Sequence, residues 1–347
     1  MKGTSVFLDH IAGRRAAAYR RDGILEDFLI DPAGDGPLRP GSICRAIVER
    51  PMKGQGGVFV RLHDGKGYLR APKGLREGQA VLVQVSAYAE PGKAVPVTSK
   101  LLFKSKYAIV TPDAPGLNIS RQIRDEEVRV RLRSIAVDVM DASPFGLILR
   151  SQAATAPEDE IAEDIAEMRS LAEAVTAPAD GPAELLLEGP DAHALAWREW
   201  GDPDEVVTEA GCFETRGVLD DLSAALSFAV ALPGGGSVTV EPTRALVAVD
   251  VNTGADSSFA AGLKANVETA RALPRLLRLR GLGGQIAIDF APMTKKDRLQ
   301  VEQALRAGFR SDPVETTLAG WTPLGHFEAH RKRERLPLDR TVSESLQ

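Results

Sequence analysis

Residues 245–252 read ALVAVDVN and residues 284–290 read GQIAIDF, two apolar runs that each carry an aspartate near their end. The stretch between them, LKANVETARALPRLLRLRGLG at residues 263–283, has the periodicity of a helix and ends among glycines. The order strand, helix, strand predicts a crossover unit in which the two strands are parallel neighbours in one sheet. These residues therefore predict an α/β fold.

The aspartates of the two runs, Asp250 and Asp289, are candidate metal ligands. Parallel neighbours bring their carboxyl ends to the same sheet edge, where ligands bind in open α/β sheets. Two carboxylates placed so close repel each other unless a proton or a cation joins them. Magnesium suits such a pair, since it takes one or two protein carboxylates and fills its other positions with water and phosphate oxygens.

Asn252 lies two residues beyond Asp250, on the same face of an extended chain, where its amide can orient a water or a phosphate. A metal here would generate the attacking hydroxide and polarise a scissile phosphate. The alternative is that the strand-end aspartates are turn formers or helix caps. Thr294, followed by Asp297, is the better cap for the next helix, which leaves Asp289 free.

Composition sets broader limits on the protein class. The chain has 347 residues, of which 44% are hydrophobic and 26% are charged, as expected for a globular protein of about two to three domains. Two distant cysteines, Cys44 and Cys212, exclude a disulfide framework and a four-cysteine zinc site. Because no long apolar segment occurs, we expect a cytoplasmic protein that is neither secreted nor membrane-spanning.

The net charge of −5 argues at first sight against a nucleic-acid partner, but the charge is unevenly placed. An acidic helix at residues 158–167 contributes much of the negative total, whereas residues 100–133 are basic. Basic residues also surround the two aspartates, as suits a polyanionic phosphodiester. They are Lys264, Arg271, Arg275, Arg278 and Arg280 on the helix, and Arg331, Lys332, Arg333 and Arg335 near the end of the chain.

The first hundred residues are rich in short strands. Residues 5–8 and 24–30 predict a hairpin of two strands, and five further short runs predict a small closed barrel. Those runs are residues 43–48, 57–62, 67–70, 80–85 and 94–98. Within the barrel, Phe59 and Tyr68 lie among Arg61, Lys66 and Arg70, a mixture that stacks unpaired bases and holds phosphates. The alternative is that both rings are core residues or hairpin partners.

A buried strand at residues 145–149 ends at Arg150 and Ser151. An arginine fork and an adjacent hydroxyl can bind phosphate oxygens, although an exposed strand end is the simpler alternative. Helices are predicted at residues 156–175, 192–200 and 219–231, with strands in 179–189 and near 206–207. Gly234 to Gly236 predict a hairpin turn and not a phosphate-binding loop.

Three motifs in this order, RALVAVDVNTG (244–254), LRLRGLGGQIAIDFAPM (277–293) and GHFEAHRKR (325–333), resemble the catalytic domain of the ribonuclease E/G family of bacterial endoribonucleases. The resemblance implies an α/β multidomain fold. Its parts would be an RNase H-like subdomain at 1–35 and 182–231, an OB-type barrel of the S-one kind at 36–100, a 5′ sensor at 101–181 and a DNase I-like catalytic domain at 232–347.

The resemblance also implies roles for individual residues. Asp250 and Asp289 would bind the catalytic magnesium, and Asn252 would aid the attacking water. RNA contacts would come from Phe59 and Tyr68 in the barrel. The basic run near the end of the chain adds Arg331 and Arg333 as further candidate RNA contacts. A 5′-terminal monophosphate would bind to Arg150, to Ser151 in place of the usual threonine, and to Arg121.

Several features depart from the family pattern. The loop at residues 253–263 is short, the barrel is abbreviated, and Pro274 falls inside a helix, where proline costs about 3 kcal/mol unless the helix kinks. The chain lacks the cysteine pair that shares zinc between subunits, so we expect no zinc and either a monomer or a homo-oligomer not linked by zinc. His326 and His330, one helical turn apart, have no evident third ligand.

The residue patterns and the family resemblance together imply a magnesium-dependent endoribonuclease that hydrolyses single-stranded RNA in RNA processing and decay, leaves a 5′ phosphate and favours 5′-monophosphorylated ends. One alternative is an RNA-binding paralogue with reduced or lost cleavage, and another is a metal-dependent phosphatase acting on something other than RNA. Intact Asp250, Asn252 and Asp289 favour the enzyme over the paralogue. The basic, aromatic barrel favours both over the phosphatase.

Overall fold

A computed structural model describes residues 2–34, 36–49, 56–70, 74–90, 92–177 and 180–338. The chain forms two compact units. Residues 1–33 and 203–347 make a two-segment unit, and residues 34–202 make an inserted unit. None of the described helices is long and apolar enough to cross a membrane.

The two-segment unit begins with an antiparallel meander of three strands, β1 (Thr4–Ile11), β2 (Arg14–Arg21) and β3 (Ile24–Ile30). Each connection is a two-residue turn with positive φ at both positions, at Ala12-Gly13 and Asp22-Gly23, which matches the twist of a hairpin. The predicted two-stranded hairpin is therefore wrong. The strand signal of β2, RRAAAYRR, is weak because small alanines, Ala16, Ala17 and Ala18, fill buried positions where large apolar residues are usual.

The inserted unit contains the barrel. Its strands are β4 (Ile43–Val48), β5 (Gly57–Arg61), β6 (Lys66–Arg70), β7 (Ala80–Val85) and β8 (Val95–Thr98). The order β4-β5-β6-β8-β7 closes because β7 also pairs with β4. Alternate residues, among them Val58, Val60, Leu69 and Val83, fill the interior. The predicted small closed barrel is confirmed.

A second sheet of the inserted unit follows the barrel. Its elements are β9 (Phe103–Lys104), β10 (Ala108–Thr111), β11 (Leu117–Ile119), α1 (Glu126–Val139), β12 (Gly146–Leu149), a 3-10 turn (Ser151–Ala154) and α2 (Glu158–Thr176). The sheet order is β11-β12-β10-β9, and β11 is parallel to β12. Helix α2 packs through Ile161 and Ile165, while its acids are mostly exposed. Strand β13 (Glu184–Leu187) pairs with β4, and α3 (Ala192–Glu199) completes the unit.

The chain then returns to the two-segment unit with β14 (Glu205–Val207), α4 (Cys212–Thr215) and α5 (Val218–Leu226). The predicted helix at 219–231 is wrong at its end, because Ser227 adopts an extended conformation and Ala229–Ala231 form strand β15. The predicted glycine turn is confirmed, since the Leu232 amide donates to the Gly236 carbonyl at 3.1 Å and closes a hairpin.

The last part of the chain forms a six-stranded sheet with β15. Its elements are β16 (Ser237–Pro242), β17 (Val247–Asn252), α6 (Phe259–Leu279), β18 (Gly284–Asp289), α7 (Asp297–Arg310), β19 (Thr316–Trp321) and β20 (Phe327–Arg331). The sheet order is β15-β16-β17-β18-β20-β19. Strands β17 and β18 are parallel, with α6 as their crossover, so the predicted α/β unit is confirmed.

Helices α6 and α7 pack on one face of this sheet, where Val249 and Ile288 meet Leu276 and Leu305 in a single core. The alternate residues of the strands point to the other face and are exposed or half-buried. We call this the polar face; it carries Ala248, Asp250, Asn252, Gln285, Ala287, Asp289, Glu328 and His330.

Pro274 lies within α6, which nevertheless runs unbroken from Phe259 to Leu279. Proline cannot donate to the carbonyl of Ala270, so that oxygen loses its helical partner. Helix α7 crosses closely here. A Cβ on Gly308 would lie 3.0 Å from the Ala270 oxygen and 3.3 Å from the Pro274 ring. The proline is thus accommodated at the contact between the two helices.

Candidate active site

Asp250 and Asp289 occupy paired positions on the parallel strands β17 and β18. Neighbouring strands lie about 4.8 Å apart and alternate residues share a face, so the two carboxylates lie side by side on the polar face. Both residues are exposed. The structure therefore brings together the two aspartates that the sequence singles out, at the carboxyl ends of their strands.

Asn252 is held next to Asp250. Its Nδ2 donates a hydrogen bond of 2.7 Å to Asp250 Oδ2, and both side chains project from the polar face. This bond orients one carboxylate oxygen of Asp250 and leaves the Asn252 carbonyl oxygen directed elsewhere. The structure thus places Asp250, Asn252 and Asp289 next to one another, as predicted. The catalytic role of each residue stays a prediction.

Asp289 does not cap a helix. Helix α7 begins at Asp297, whose Oδ2 accepts a 2.7 Å hydrogen bond from the Thr294 hydroxyl. The cap residue is Lys296, so Thr294 is not the cap that the sequence predicts. Asp289 is nevertheless not needed to begin helix α7, as predicted, because the Thr294–Asp297 pair closes the turn before it.

His326 also lies at this site, although sequence reasoning considered it only as a zinc ligand. Its Nε2 is 3.9 Å from Asp289 Oδ1. The helical spacing assumed for His326 and His330 is wrong, because His330 belongs to strand β20 and His326 directly precedes it. Four residues of strand span about 13 Å, too far for one shared metal. Polar and apolar residues alternate in HFEAH, as in a strand. This alternation is the sequence signal that would have placed His326, Glu328 and His330 on one face.

The donor set fits magnesium better than zinc. Among the described residues, no cluster of three or more histidine, cysteine or acidic side chains is arranged to hold a metal ion. Two exposed carboxylates and an amide oxygen match an ion that keeps several water ligands. Zinc instead requires three or four protein ligands, usually nitrogen or sulfur. Asp250 and Asp289 are therefore the residues that would hold a magnesium ion.

The predicted basic surroundings are only partly present. Arg278 binds Asp312 and Glu26, and Arg280 donates to three backbone carbonyls, so the guanidinium groups of both serve the fold. Two other cations, Lys295 and Lys296, are exposed in the loop that follows β18. These lysines follow Asp289 by six and seven residues in the chain and add positive charge to that loop.

Arg331, predicted to contact RNA, is only 1% exposed. Its guanidinium donates to Asp312 Oδ1 and to Thr316 Oγ1, each at 3.0 Å. The prediction for Arg331 is therefore wrong, since a buried and paired guanidinium cannot reach a ligand. Arg333 is half-buried, with its guanidinium against the backbone of Gly284, and its RNA role stays a prediction.

The predicted phosphate-sensing residues lie at one edge of the second sheet of the inserted unit. Ile119 of β11 pairs with Leu149 of β12, so the parallel strands deliver Arg121 and Ser151 to the same edge. Both are exposed. Helix α1 separates the two strands in sequence, so it is their parallel pairing in the sheet that brings these residues to one edge.

Arg150, between Leu149 and Ser151, is already engaged by protein atoms. Its Nη2 lies 2.5 Å from Glu199 Oε2, and its Nη1 donates to the carbonyls of Ser105 at 2.5 Å and Arg198 at 3.1 Å. Although burial opposes ionisation, Arg198 and Arg150 hold the pKa of Glu199 below its ordinary value. Any phosphate that binds Arg150 therefore competes with an ionised carboxylate.

Phe59 and Tyr68 are directly paired on β5 and β6, with ring centroids 5.4 Å apart at an interplanar angle of 60°. They are half-buried and lie outside the barrel, on the face that carries Arg61, Lys66 and Arg70. The rings are thus hairpin partners and not core residues. Their outward position leaves the predicted stacking role untested.

The fold and the exposed carboxylate pair define an α/β protein with a candidate metal site, joined to a β-barrel unit. Residues 103–204 and 204–334 match the Ribonuclease E/G family. Ribonuclease E of Synechocystis sp. is 30% identical over 92% of this chain and 55% of its own length, and Ribonuclease E of Nostoc sp. is 29% identical over 92% and 54%. Ribonuclease G of Escherichia coli K12 is 28% identical over 94% of this chain and 79% of its own.

The chain belongs to the Ribonuclease E/G family. It spans about half the length of the two Ribonuclease E relatives.

Proposed function

We propose that the chain is a magnesium-dependent endoribonuclease that hydrolyses single-stranded RNA and leaves a 5′ phosphate on the downstream product, in RNA processing or decay. The observation that carries the proposal is the pairing of Asp250 with Asp289 on an exposed, polar sheet face. The names of the relatives, Ribonuclease E and Ribonuclease G, support RNA as the substrate.

In this mechanism Asp250 and Asp289 would hold the metal, which would supply a Lewis acid and lower the pKa of a nearby water. Asn252 fixes the Asp250 carboxylate through its 2.7 Å hydrogen bond and presents its carbonyl oxygen to the attacking water. The exposure of all three side chains lets a long polymer lie across the sheet, as an endonuclease needs. Lys295 and Lys296 offset the charge of the phosphodiester backbone.

The outer face of the barrel is the second part of the proposal. Phe59 and Tyr68 present ring surface beside Arg61 and Arg70, which suits unpaired bases and their phosphates. This combination distinguishes a single-stranded RNA from a small phosphate ester. It therefore favours a nuclease over the alternative of a phosphatase.

We also propose that 5′-monophosphorylated RNA is preferred, with Arg121, Ser151 and Arg150 as the phosphate-binding residues. A terminal phosphate carries about −1.5 to −2 charges near neutral pH, more than the carboxylate that now engages Arg150. The phosphate can therefore displace Glu199. We further propose action in the cytoplasm, without a membrane partner and without a zinc-linked dimer.

The proposal is tested with a short 5′-monophosphorylated single-stranded RNA and magnesium. We expect the wild type to cut it, and Asp250→Asn and Asp289→Asn to bind it with similar affinity but to cut it at least about 100-fold more slowly. Asp220→Asn, at an exposed position of α5, is the matched control and should cut normally. Binding without cleavage by the wild type would instead support the RNA-binding paralogue. Hydrolysis of a small phosphate ester without RNA binding would support the phosphatase.

A further inference from the structure

His326 extends the row of candidate active-site residues onto a third strand. Strands β17, β18 and β20 are consecutive in the sheet, and Phe327 of β20 pairs with Ile288 of β18. The residue before Phe327 therefore lies beside the residue after Ile288, which is Asp289. The distance of 3.9 Å between His326 Nε2 and Asp289 Oδ1 agrees with that register.

The backbone of His326 is held firmly. Its carbonyl accepts from the Thr322 amide at 2.8 Å, and its amide donates to the Thr322 hydroxyl at 3.1 Å. Phe327, the next residue, is fully buried in the core of the sheet. The position of the His326 Cα next to Asp289 is thus fixed by the closed turn on one side and by the core on the other.

The imidazole itself remains available. Its side chain is 44% exposed, and 3.9 Å exceeds hydrogen-bond length. Within the described part of the chain, no residue forms a hydrogen bond with the ring. A ring that served only the fold would be packed or bonded, whereas this one combines a fixed backbone with an exposed ring nitrogen 3.9 Å from a candidate ligand carboxylate.

We propose that His326 is a catalytic residue that donates its N–H to a non-bridging oxygen of the scissile phosphate. The inference rests on the proposed function, since it needs a phosphodiester at the Asp250–Asp289 edge. During hydrolysis a water oxygen bonds to phosphorus and gives its proton to solvent. The bond to the 3′ oxygen breaks, and that oxygen leaves as a hydroxyl after taking a proton from solvent, while negative charge grows on the non-bridging oxygens in the transition state. A donor that is held in place before the reaction and meets those oxygens stabilises the transition state more than the bound substrate. His326 keeps its proton throughout.

The same strand offers a matched control. His330 also projects from the polar face and is exposed, but it lies opposite Gln285, about 13 Å along the strand from His326. Replacing either histidine removes the same chemical group from the same strand and face. Only the replacement at His326 removes a group beside Asp289.

The experiment compares His326→Leu, His326→Gln and His330→Leu with the wild type. Cleavage kinetics are measured on a single-stranded RNA with magnesium, and binding of the same RNA is measured by fluorescence anisotropy in EDTA. We expect His326→Leu to lower kcat by roughly 10- to 100-fold, the effect of one hydrogen bond to a charged group, and to change binding less than threefold. The glutamine variant, which retains an N–H donor, should recover a substantial part of kcat. His330→Leu should match the wild type.

Equal activity of His326→Leu and wild type would overturn the inference while leaving the proposed function intact, and so would equal losses in both leucine variants. If the wild type fails to cut RNA, the proposed function fails, and His326 loses its catalytic role with it. Because the ring bonds to no described residue, the variants should melt within a few degrees of the wild type. If His326→Leu melts lower, His326→Ala replaces it in the comparison with the glutamine variant.

Discussion

Asp250 and Asp289 are paired residue for residue across two parallel strands, which places two exposed carboxylates side by side at one sheet edge. Their closeness costs electrostatic free energy in the absence of a cation, because like charges at this spacing repel. A cation between them reverses that cost. The pair therefore links magnesium binding to the stability of the unit that contains it.

From this link we predict that magnesium raises the melting temperature of the wild type. At ten times its dissociation constant, a ligand that binds only the folded state stabilises it by about 1.4 kcal/mol, which corresponds to roughly 3 °C for a unit of this size. Asp250→Asn and Asp289→Asn should abolish the rise, and each should melt slightly higher than the wild type in EDTA. Differential scanning fluorimetry measures both effects. A magnesium shift that persists in both variants would place the metal elsewhere.

A second prediction concerns Glu199, which engages Arg150 at 2.5 Å. Glu199→Gln removes the charge that competes with a 5′ phosphate, so we expect the ratio of cleavage rates for 5′-monophosphate over 5′-hydroxyl RNA to rise severalfold. Arg150→Gln should bring the same ratio towards one. The rates are measured on otherwise identical RNAs. If neither variant changes the ratio, Arg150 serves only the fold.

The lowered pKa of Glu199 also leads us to predict that the stability of the fold falls at low pH. Its pKa is lowered from 4.5 in the folded state, despite burial, by Arg198 and Arg150. A carboxyl with a depressed folded pKa contributes stability that is fully present above the unfolded pKa and is lost as pH falls through the folded pKa. We therefore expect the wild type to lose more stability than Glu199→Gln as the pH is lowered below about 4.5, measured by urea denaturation at each pH. Parallel curves would contradict this account.

Much of the sheet and its carboxylate pair could be predicted because the signals are local. The apolar runs of β17 and β18, the intervening helix and the flanking glycines all lie within residues 245–290. A crossover helix between two strands then predicts that the strands are parallel neighbours, as they are. Strand β2 was missed because alanines, which carry no strand signal, fill its buried positions. The end of α5 was missed because the change to strand at Ala229 depends on pairing with β16.

The partners of the arginines could not be predicted, because each partner comes from another element. In the sequence Arg331 belongs to a basic run that suggests a surface. In the structure it is buried and pairs with Asp312, which precedes β19. The sequence around Arg150 suggests a phosphate ligand. In the structure its guanidinium already pairs with Glu199 at the end of α3. His326 required the register of β18 with β20, which no local pattern specifies.

The buried pair of Arg331 and Asp312 gives a fourth prediction. Arg331→Ala leaves the buried Asp312 carboxylate with Arg278 as its remaining cation, so we expect a loss of about 3 kcal/mol in the free energy of unfolding. Affinity for RNA per folded molecule should stay unchanged, because the guanidinium does not reach the surface. Urea denaturation and anisotropy measure the two quantities. An RNA-binding defect with normal stability would restore the contact role predicted from sequence.

The paired rings on the barrel give the last prediction. Phe59 contacts Tyr68 edge to face and lies outside the barrel core, so Phe59→Ala should leave the barrel folded while removing one surface on which a base can stack. Loss of one stacked base costs about 1–3 kcal/mol, so we expect the dissociation constant for single-stranded RNA to rise roughly 5- to 150-fold. Trp197→Ala, which removes another half-exposed ring from the same unit, is the matched control and should bind normally. Double-stranded RNA, whose bases are already stacked, should show little difference between wild type and Phe59→Ala. If single-stranded RNA binds equally well to both, the rings are hairpin partners alone and the barrel holds RNA through its cations.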